Sequence, residues 1–238
     1  MMLFKADLHI HTCLSPCAEL DMSPKRIMGA AKSCGLNIVG ICDHNSCENV
    51  PAARRCAERL GLQVIGGMEI TSREEVHLLA LFGSDTDLFS MQQIVYANLP
   101  ELTEERYYGD QVVVNEDDEV LDFNKKLLIG ATELPLETLV ALIHERNGLA
   151  IASHVDREGF GIIGQLGFIP PGLPLDALEV ASGDPSGIDG AAFPFITSSD
   201  AHKLESIGSR FTEFFMDAAT IQEIRDSLRG LGDRKVVI

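Results

Sequence analysis

The sequence predicts an α/β fold with a mainly parallel sheet, and three observations support this prediction. Short apolar runs alternate with helical stretches in a βαβαβ order, which implies parallel strand pairing with right-handed crossovers. The chain has 238 residues, a length that α/β barrels reach as single domains. Histidines and acidic residues follow the predicted strands, and active sites of parallel α/β barrels collect at that edge of the sheet. We therefore expect one domain over residues 1–238.

Apolar runs and helix-boundary residues predict the first elements. Ser23 is a favourable N-cap and Pro24 suits the first helical position, while Gly35 ends the helix that they open. Gly61 ends the second helix in the same way. The predicted elements are a strand over 3–10, a helix over 24–33, a strand over 37–42, a helix over 50–60 and a strand that begins at 63.

Residues 85–128 interrupt this alternation of strands and helices, and we interpret them as an insertion that could cap one end of a site. They contain a helical segment over 85–97, an acidic amphipathic segment over 101–108 and a small hairpin over 112–121. The alternation of strands and helices then resumes. Its later elements are a helix over 135–146, strands over 149–153, 178–180, 195–197 and 213–216, a helix over 220–228 and a strand over 235–238.

The composition narrows the class of protein. The formal net charge of −17 argues against long nucleic acid as a partner, because phosphate backbones are bound by an excess of Lys and Arg. No apolar run is long enough to span a membrane, and the first residues lack the features of a signal peptide. The six cysteines form no CxxC pair, so we expect reduced thiols and a cytoplasmic location.

Six of the seven histidines fall in short clusters that also carry acidic residues. Imidazole and carboxylate together form the ligand set of zinc, manganese and iron, whereas structural zinc fingers rely on thiolates. The clusters are Asp7-Leu8-His9-Ile10-His11, Asp43-His44, Glu69 with His77, His154-Val155-Asp156 and Asp200-Ala201-His202. This grouping predicts a metal-dependent hydrolase.

The spacing within the first cluster suits metal binding. His9 and His11 are two residues apart, so a strand places both side chains on one face. Asp7 continues the same spacing towards the N-terminus. A single pair of this kind is more often a polar surface alternation, but the five clusters together favour a metal site. His144 belongs to no cluster, and we interpret it as solvated.

The clusters resemble the successive motifs of the PHP (polymerase and histidinol phosphatase) family, in the same order. The matching segments are Asp-Leu-His-Ile-His-Thr, Cys-Asp-His-Asn, Gly-Met-Glu, Ser-His-Val-Asp-Arg and Ser-Ser-Asp-Ala-His. The resemblance runs from Asp7 to His202. It implies a distorted (β/α)7 TIM-like barrel with two or three divalent ions (Zn, Mn or Fe) at the C-terminal ends of the strands.

The resemblance also implies which side chains are metal ligands. The first ion would be held by His9, His11, Glu69 and Asp200. Glu69 would bridge to a second ion, completed by His77 and His154. A third ion would be held by His44 and His202.

Cys17 stands where relatives with a filled third site often have a further ligand. Its thiolate could ligate zinc or iron, and Glu19 is an oxygen ligand nearby that could replace it. The alternative is that Cys17 is a small buried residue and that the third site is weak.

Three further residues are candidates for catalysis. Asp7 would orient a ligand histidine or a bound water. Arg157 would seat the phosphate, with Lys203 and Arg210 as weaker candidates, unless it forms an ion pair with Asp156 or another nearby acid. The leaving oxygen would be protonated either by Asp156 or by metal-bound water.

The predicted function is hydrolysis of a phosphoester in a small phosphorylated metabolite or nucleotide by a metal-bound hydroxide, with inorganic phosphate as product. Short oligonucleotides remain open as substrates. One alternative is a regulatory or polymerase-associated metal-binding module without turnover, against which the complete ligand set argues. The other is a C–N hydrolase with an amidohydrolase-like barrel, but such enzymes usually add a ligating lysine, and no lysine follows a predicted strand.

Overall fold

The protein alternates strands and helices along most of its length, and a computed structural model describes residues 1–103, 108–188 and 193–237. The strands are β1 (Met2–Ile10), β2 (Ile38–Ile41), β3 (Gln63–Thr71), β4 (His77–Phe82), β5 (Val112–Val114), β6 (Val120–Phe123), β7 (Leu149–Ala152), β8 (Ala177–Glu179), β9 (Phe195–Ile196), β10 (Thr212–Met216) and β11 (Lys235–Val237). The helices are α1 (Pro24–Ser33), α2 (Val50–Glu58), α3 (Asp85–Ala97), α4 (Leu136–Glu145), α5 (Ile162–Leu166) and α6 (Ile221–Leu228).

Within the described ranges, seven strands form a nearly closed barrel, which confirms the predicted (β/α)7 fold. The large sheet has the order β11-β10-β1-β2-β3-β4-β7-β8-β9. A parallel bridge between Ile10 and Ala201 joins the end of β1 to the segment after β9. The His11 amide donates to the Ala201 carbonyl at 3.0 Å. The ring therefore runs from β1 to β9. Outside it, β10 pairs antiparallel with β1, and β11 pairs antiparallel with β10.

The distortion of the barrel lies in β4, which runs antiparallel to both of its neighbours. Glu69 is near the end of β3, whereas His77 is the first residue of β4. Because β4 runs in the opposite direction, its first residue reaches the edge at which the parallel strands end. Both side chains therefore lie at the same edge of the sheet.

Alternate residues along the strands face two different apolar clusters. In β4, Leu79 and Leu81 belong to the cluster inside the barrel, while Leu78 and Ala80 belong to the larger cluster under the helices. His77 has the spacing of the inner set, so it lies on the inner face, at the rim of the barrel. The polar side chains at this rim pack on the apolar interior of the barrel.

Local signals in the sequence account for most of the element boundaries. The Ser23 hydroxyl accepts a hydrogen bond from the Arg26 amide and caps α1, as predicted. The predicted hairpin is confirmed as β5 and β6, which form a separate two-stranded sheet. The short α5 was not predicted. The predicted amphipathic segment over 101–108 and the last predicted strand fall partly outside the described residues.

The hairpin borders a cavity of about 510 Å³ that also includes Cys13 and Leu20 but none of the clustered histidines. The predicted role of residues 85–128 as a cap over the metal site therefore stays a prediction.

Among the described residues, no helix has the length and apolar character that crossing a membrane requires.

Candidate metal centre

Glu69 lies at the centre of the clustered histidines. It is fully buried at the barrel rim, and five imidazoles surround its carboxylate. From Oε1, the distances are 2.9 Å to His77 Nδ1, 3.2 Å to His154 Nε2 and 3.4 Å to His9 Nε2. From Oε2, they are 3.1 Å to His44 Nδ1 and 3.5 Å to His11 Nε2. One carboxylate thus contacts histidines from four strands or strand ends.

Asp200 approaches the same centre from the segment after β9. Its Oδ1 lies 3.4 Å from His9 Nε2 and 3.2 Å from His11 Nε2. The His202 ring stacks on the His11 ring, with 4.2 Å between the centroids. Asp200 has a φ of 50°, a backbone conformation that costs energy outside glycine. The chain accepts this strain at the position that turns the carboxylate towards the histidines.

The clustered side chains form three overlapping groups whose ligand atoms lie within 4.8 Å of one another. The groups are His9 with His11 and Glu69, His44 with Glu69 and His77, and His11 with His44 and His202. The first matches part of the predicted first site. His44 belongs to two groups, so it stands between the predicted second and third sites. The assignment of individual ligands to individual ions stays a prediction.

The unpaired atoms at this centre fit a bound cation. His44 Nδ1, His77 Nδ1 and Asp200 Oδ1 are buried and, despite their short distances to other side chains, form no hydrogen bond within the part of the chain that the structure describes. Buried polar atoms normally have such partners. His9 Nε2 and His11 Nε2 lie only 3.1 Å apart. Imidazole nitrogen and carboxylate oxygen atoms that converge in this way are suited to a divalent ion.

Electrostatics favour the cation-binding form of Glu69, Asp200 and His11. Although burial opposes ionisation of Glu69, His77 and His9 hold its pKa well below the usual range. Burial also opposes ionisation of Asp200, but His9 and His11 lower its pKa. Burial together with the nearby His202 lowers the pKa of His11 to about 4. Ionised carboxylates and neutral imidazoles are the forms in which these side chains ligate metals.

Glu179 orients two of the histidines, and the sequence analysis missed this role. Its Oε2 lies 3.0 Å from His9 Nδ1 and accepts a hydrogen bond from the His154 amide at 3.2 Å. Burial opposes protonation of His9, but Glu179, Glu69 and Asp200 together raise its pKa well above the usual value. The available signal was an acidic residue between Leu178 and Val180 in a strand that is otherwise apolar.

Asp43 orients His11 through a hydroxyl group. The Ser15 hydroxyl donates to Asp43 Oδ1 at 2.7 Å and lies 3.0 Å from His11 Nδ1. The amide and hydroxyl of Thr12 also donate to Asp43, at 2.7 and 2.8 Å. Burial raises the pKa of Asp43 to about 6. Asp43 therefore fixes the backbone after β1 as well as the ring of His11.

Asp7 holds the segment that carries Asp200. It accepts hydrogen bonds from the amides of Ser199 and Gly208, at 3.0 and 2.9 Å. The sequence analysis gave Asp7 the same two-residue spacing as His9 and His11. The pairing of β1 with β2 shifts in register between Asp7 and Ile10, so this regular spacing is interrupted between Asp7 and His9. Burial raises the pKa of Asp7 to about 6. Its predicted effect on a ligand histidine or a bound water stays a prediction.

Arg157 forms an ion pair with Asp200 Oδ2, while the guanidinium remains about half exposed. This pairing is the alternative foreseen for Arg157, with Asp200 rather than Asp156 as the acid. Arg157 lies between two cavities. A cavity of about 240 Å³ contains the ligand side chains, and one of about 570 Å³ extends along Asp156, Glu158 and Ser182.

Asp156 is bound to the backbone of the next loop. The amides of Ala181 and Ser182 both donate to its carboxylate at 2.7 Å. Partial burial raises the pKa of Asp156, but the hydrogen bonds from Ser182 and Ala181 outweigh it and lower the pKa overall. Of the weaker candidates, Lys203 pairs with Glu205, and Arg210 donates to the Ser182 carbonyl.

Cys17 lines the smaller cavity but belongs to none of the three ligand groups. Cys17 is exposed to solvent, so the alternative of a small buried residue was wrong. Desolvation by the surrounding protein, with Glu69 nearby, raises the pKa of its thiol to about 12. Glu19 is exposed, and its amide donates to the His202 carbonyl at 2.9 Å. The structure therefore leaves Cys17 beside the candidate third site, and its role as a ligand stays a prediction.

His144 does not lie free in solvent, so that interpretation was wrong. Its Nε2 lies 2.8 Å from Asp176 Oδ2, and about a third of the side chain is exposed. Asp176 also accepts a hydrogen bond from the Ala150 amide at 2.9 Å. His144 therefore lies at the opposite end of β7 from His154, and it stabilises the start of the strand.

Comparison with known proteins decides the family. The model of the PHP domain matches residues 7–163, which include the motifs from His9 to His154. The chain belongs to the PHP family. A second model, described as PHP-associated, matches residues 190–230 and so includes Asp200 and His202.

Two curated relatives of this PHP chain carry names of phosphoester hydrolases. A 5′–3′ exoribonuclease of Haemophilus influenzae is 30% identical over 80 residues, 32% of this chain and 28% of that protein. A phosphoribosyl 1,2-cyclic phosphate 1,2-diphosphodiesterase of Eggerthella lenta is 30% identical over 80 residues, 32% of this chain and 29% of that protein. The matches thus span less than a third of either relative.

A solved PHP-type structure corrects our expectation about nucleic acid. Endonuclease Q, solved with a 27-mer duplex substrate whose abasic lesion lies at the active site, has a TM-score of 0.70 and 22% identity, over 98% of this chain and 58% of that one. Our inference from net charge against long nucleic acid was therefore wrong. Net charge sums the whole surface, whereas a phosphate responds to the local field, to which bound cations contribute strongly.

Proposed function

We propose that this protein is a metal-dependent hydrolase that cleaves a phosphoester of a small phosphorylated metabolite or a nucleotide. The observation that carries the proposal is the convergence of six histidines, Glu69 and Asp200 at one rim of the barrel. Divalent ions held there would lower the pKa of a water molecule and neutralise the phosphoryl oxygens. Membership in the PHP family and the names of the two relatives support this chemistry.

The residues of the chain would act by holding and orienting. Glu69, which contacts histidines from both predicted tight sites, would bridge two ions. Glu179 and Asp43 would keep His9 and His11 in the orientation that presents their Nε2 atoms to the centre. Such supporting contacts fix the tautomer and direction of ligand imidazoles.

Arg157 would bind the phosphate within the ligand cavity, which it lines together with the histidines. Its guanidinium pairs with Asp200 and still has an exposed portion towards both cavities. We propose that it keeps this pairing and donates its remaining N–H groups to a phosphoryl oxygen, a contact for which the planar guanidinium is well suited.

Asp156 is a poor proton donor for the leaving oxygen. A carboxyl with a lowered pKa is ionised at neutral pH, and two backbone amides already occupy its oxygens. We propose that Asp156 orders the loop at Ser182, so that the leaving oxygen takes its proton from water.

The larger cavity supports a hydroxyl-rich leaving group as one candidate. Asp156, Glu158 and Asp184 lie along it with Ser182 and Ser186. Carboxylates accept hydrogen bonds from sugar hydroxyls and repel a second phosphate. Hydrolysis of a C–N bond has less support, because no lysine lines the ligand cavity among the described residues.

A substrate panel tests the proposal. The purified protein, reconstituted with manganese or zinc, is assayed for release of phosphate from sugar phosphates and nucleotides, and for cleavage of phosphodiesters and amides. We expect phosphoester cleavage only, sensitive to chelator and absent in Glu69→Gln. Glu58→Gln, an exposed change on α2, is the matched control and should retain activity. Amide cleavage, or no turnover of any phosphoester, would reject the proposed function.

A further inference from the structure

Phe160 is an exposed aromatic residue at the mouth of the ligand cavity. It lines that cavity together with His77 and Arg157. One face of its ring stacks on His77, with 4.4 Å between the centroids and 19° between the planes. The side chain nevertheless remains 41% exposed. The ring therefore has one face against a candidate metal ligand and a second face available to a bound molecule.

The backbone holds Phe160 in a strained conformation. Its φ is 60°, which is rare for a bulky side chain and persists only where the surroundings impose it. The His77 amide donates to the Phe160 carbonyl at 2.9 Å and ties this residue to the start of β4. Strain of this kind clusters at binding and catalytic sites.

The loop around Phe160 is closely wound. A Cβ atom on Gly161 would lie 2.5 Å from the Arg157 carbonyl oxygen, and one on Gly164 would lie 2.2 Å from that of Glu158. Both positions therefore require glycine. The close winding holds the backbone and the stacking on His77 holds the ring beside the cavity, so that Phe160 would lose little conformational freedom when a ligand stacks on it.

We propose that Phe160 is a stacking platform for a nucleobase, and that the substrate of the metal centre is a nucleoside phosphoester. The proposal rests on the proposed function. An aromatic ring with a free face binds any base, because every base has a π-face. The scissile phosphate would lie at the histidines, the sugar would cross the ring edge of His77, and the base would cover the outer face of Phe160. Sugar phosphates lack a base and so could not stack on Phe160.

A purely structural role for Phe160 is the competing explanation. In that case the ring would only keep His77 in place, and its loss would weaken every substrate equally. Base stacking instead predicts a loss confined to substrates with a base. The two explanations therefore differ in selectivity rather than in total activity.

Fluorescence tests the contact without turnover. The reporter is a 2-aminopurine nucleoside 5′-phosphonate, which is not hydrolysed and loses fluorescence when its base stacks. The protein contains no tryptophan, so the background is low. With the metal-reconstituted protein we expect quenching on binding. Phe160→Ala should abolish the quenching and weaken binding about 10-fold, the scale of one base–aromatic stack, while Phe160→Tyr should behave like the wild type.

Phe168→Ala is the control, because Phe168 is 58% exposed but does not line the ligand cavity. It should leave quenching and affinity unchanged. Absence of quenching in the wild type, or full quenching in Phe160→Ala, would overturn the proposal. Neither result depends on catalysis, so a failure of base stacking is distinct from a failure of the proposed function.

Kinetics supply a second measurement. The ratio of kcat/KM for a nucleoside 5′-monophosphate to that for ribose 5-phosphate should fall about 10-fold in Phe160→Ala and in Phe160→Leu. Metal content is measured in parallel, because the Phe160→Leu variant should retain apolar packing on His77 and therefore its bound metal. An unchanged ratio, with both substrates equally slowed, would assign Phe160 to the structural role. A trinucleotide with the same terminal base distinguishes free nucleotides from nucleic-acid ends.

Discussion

Glu179 Oε2 lies 3.0 Å from His9 Nδ1, although 170 residues separate the two in the sequence. The same carboxylate accepts a hydrogen bond from the amide of His154. It therefore joins the first and the fourth histidine clusters on the inner face of the barrel. The orientation of the His9 ring therefore depends on a residue of β8 as well as on β1.

This relationship leads to a prediction about metal affinity. Glu179→Leu should lower the affinity for the tightest ion about 10–100-fold, because contacts that orient ligand imidazoles have effects of this size. Competition with a chelator of known affinity measures it. Glu213→Leu, on β10 away from the ligands, is the control. An unchanged metal affinity in Glu179→Leu would show that His9 needs no orienting partner.

Glu69 should be indispensable for turnover. Glu69→Gln removes the negative charge that lies within 3.5 Å of five histidine nitrogens, so we expect two ions to bind more weakly and activity to be lost. Circular dichroism should remain that of the wild type, because the amide has the same shape. Metal analysis and phosphate release check the two effects. Wild-type activity in this variant would contradict the bridging role.

Cys17 should influence only the third ion. Its thiol faces the cavity from outside the ligand groups, so the third site should bind more weakly than the other two. After dialysis we expect two ions to be retained and a third to be partial. Cys17→Ala should remove the third completely, whereas Cys34→Ala, an exposed thiol elsewhere, should not. Three equally tight ions in both variants would show that the thiol has no part in binding.

The reaction should proceed without a covalent intermediate. Cys17 is the thiol that lines the ligand cavity among the described residues, and every histidine and carboxylate that lines the cavity with it is a predicted metal ligand, so none of them is free to act as its general base. Hydrolysis in oxygen-18 water should place the label in the released phosphate within a single turnover. Chelator should abolish activity, and manganese or zinc should restore it. Label trapped first on the protein would refute this mechanism.

Local patterns in the sequence predict most strands and the helices that follow them. The predicted helix over 85–97 coincides with α3, and the predicted first strand is one residue shorter than β1. Capping residues and apolar periodicity suffice there because they act within a few residues. The five-residue α5 was missed, since one turn is too short to show a period.

The candidate ligand residues that the structure brings together were also visible in the sequence, because they stand at strand ends in short clusters of histidines and acids. Three features were not visible. The shift in register between β1 and β2 depends on how the two strands pair, and the partner of His144 is Asp176 on a later segment. The local field at the candidate metal centre likewise depends on which charged side chains the fold brings together. Each depends on groups that are distant in the sequence.

The sequence by itself determined the α/β barrel, the rim at which the chemistry lies and the identity of the histidines that line it. Only the tertiary structure decided how they are held, since Glu179 reaches His9 across the barrel and Phe160 stacks on His77. The physical reason is the range of the interactions. Backbone propensity and side-chain periodicity are local, whereas the orientation of a buried imidazole is set by whichever polar or aromatic group the closed barrel brings against it.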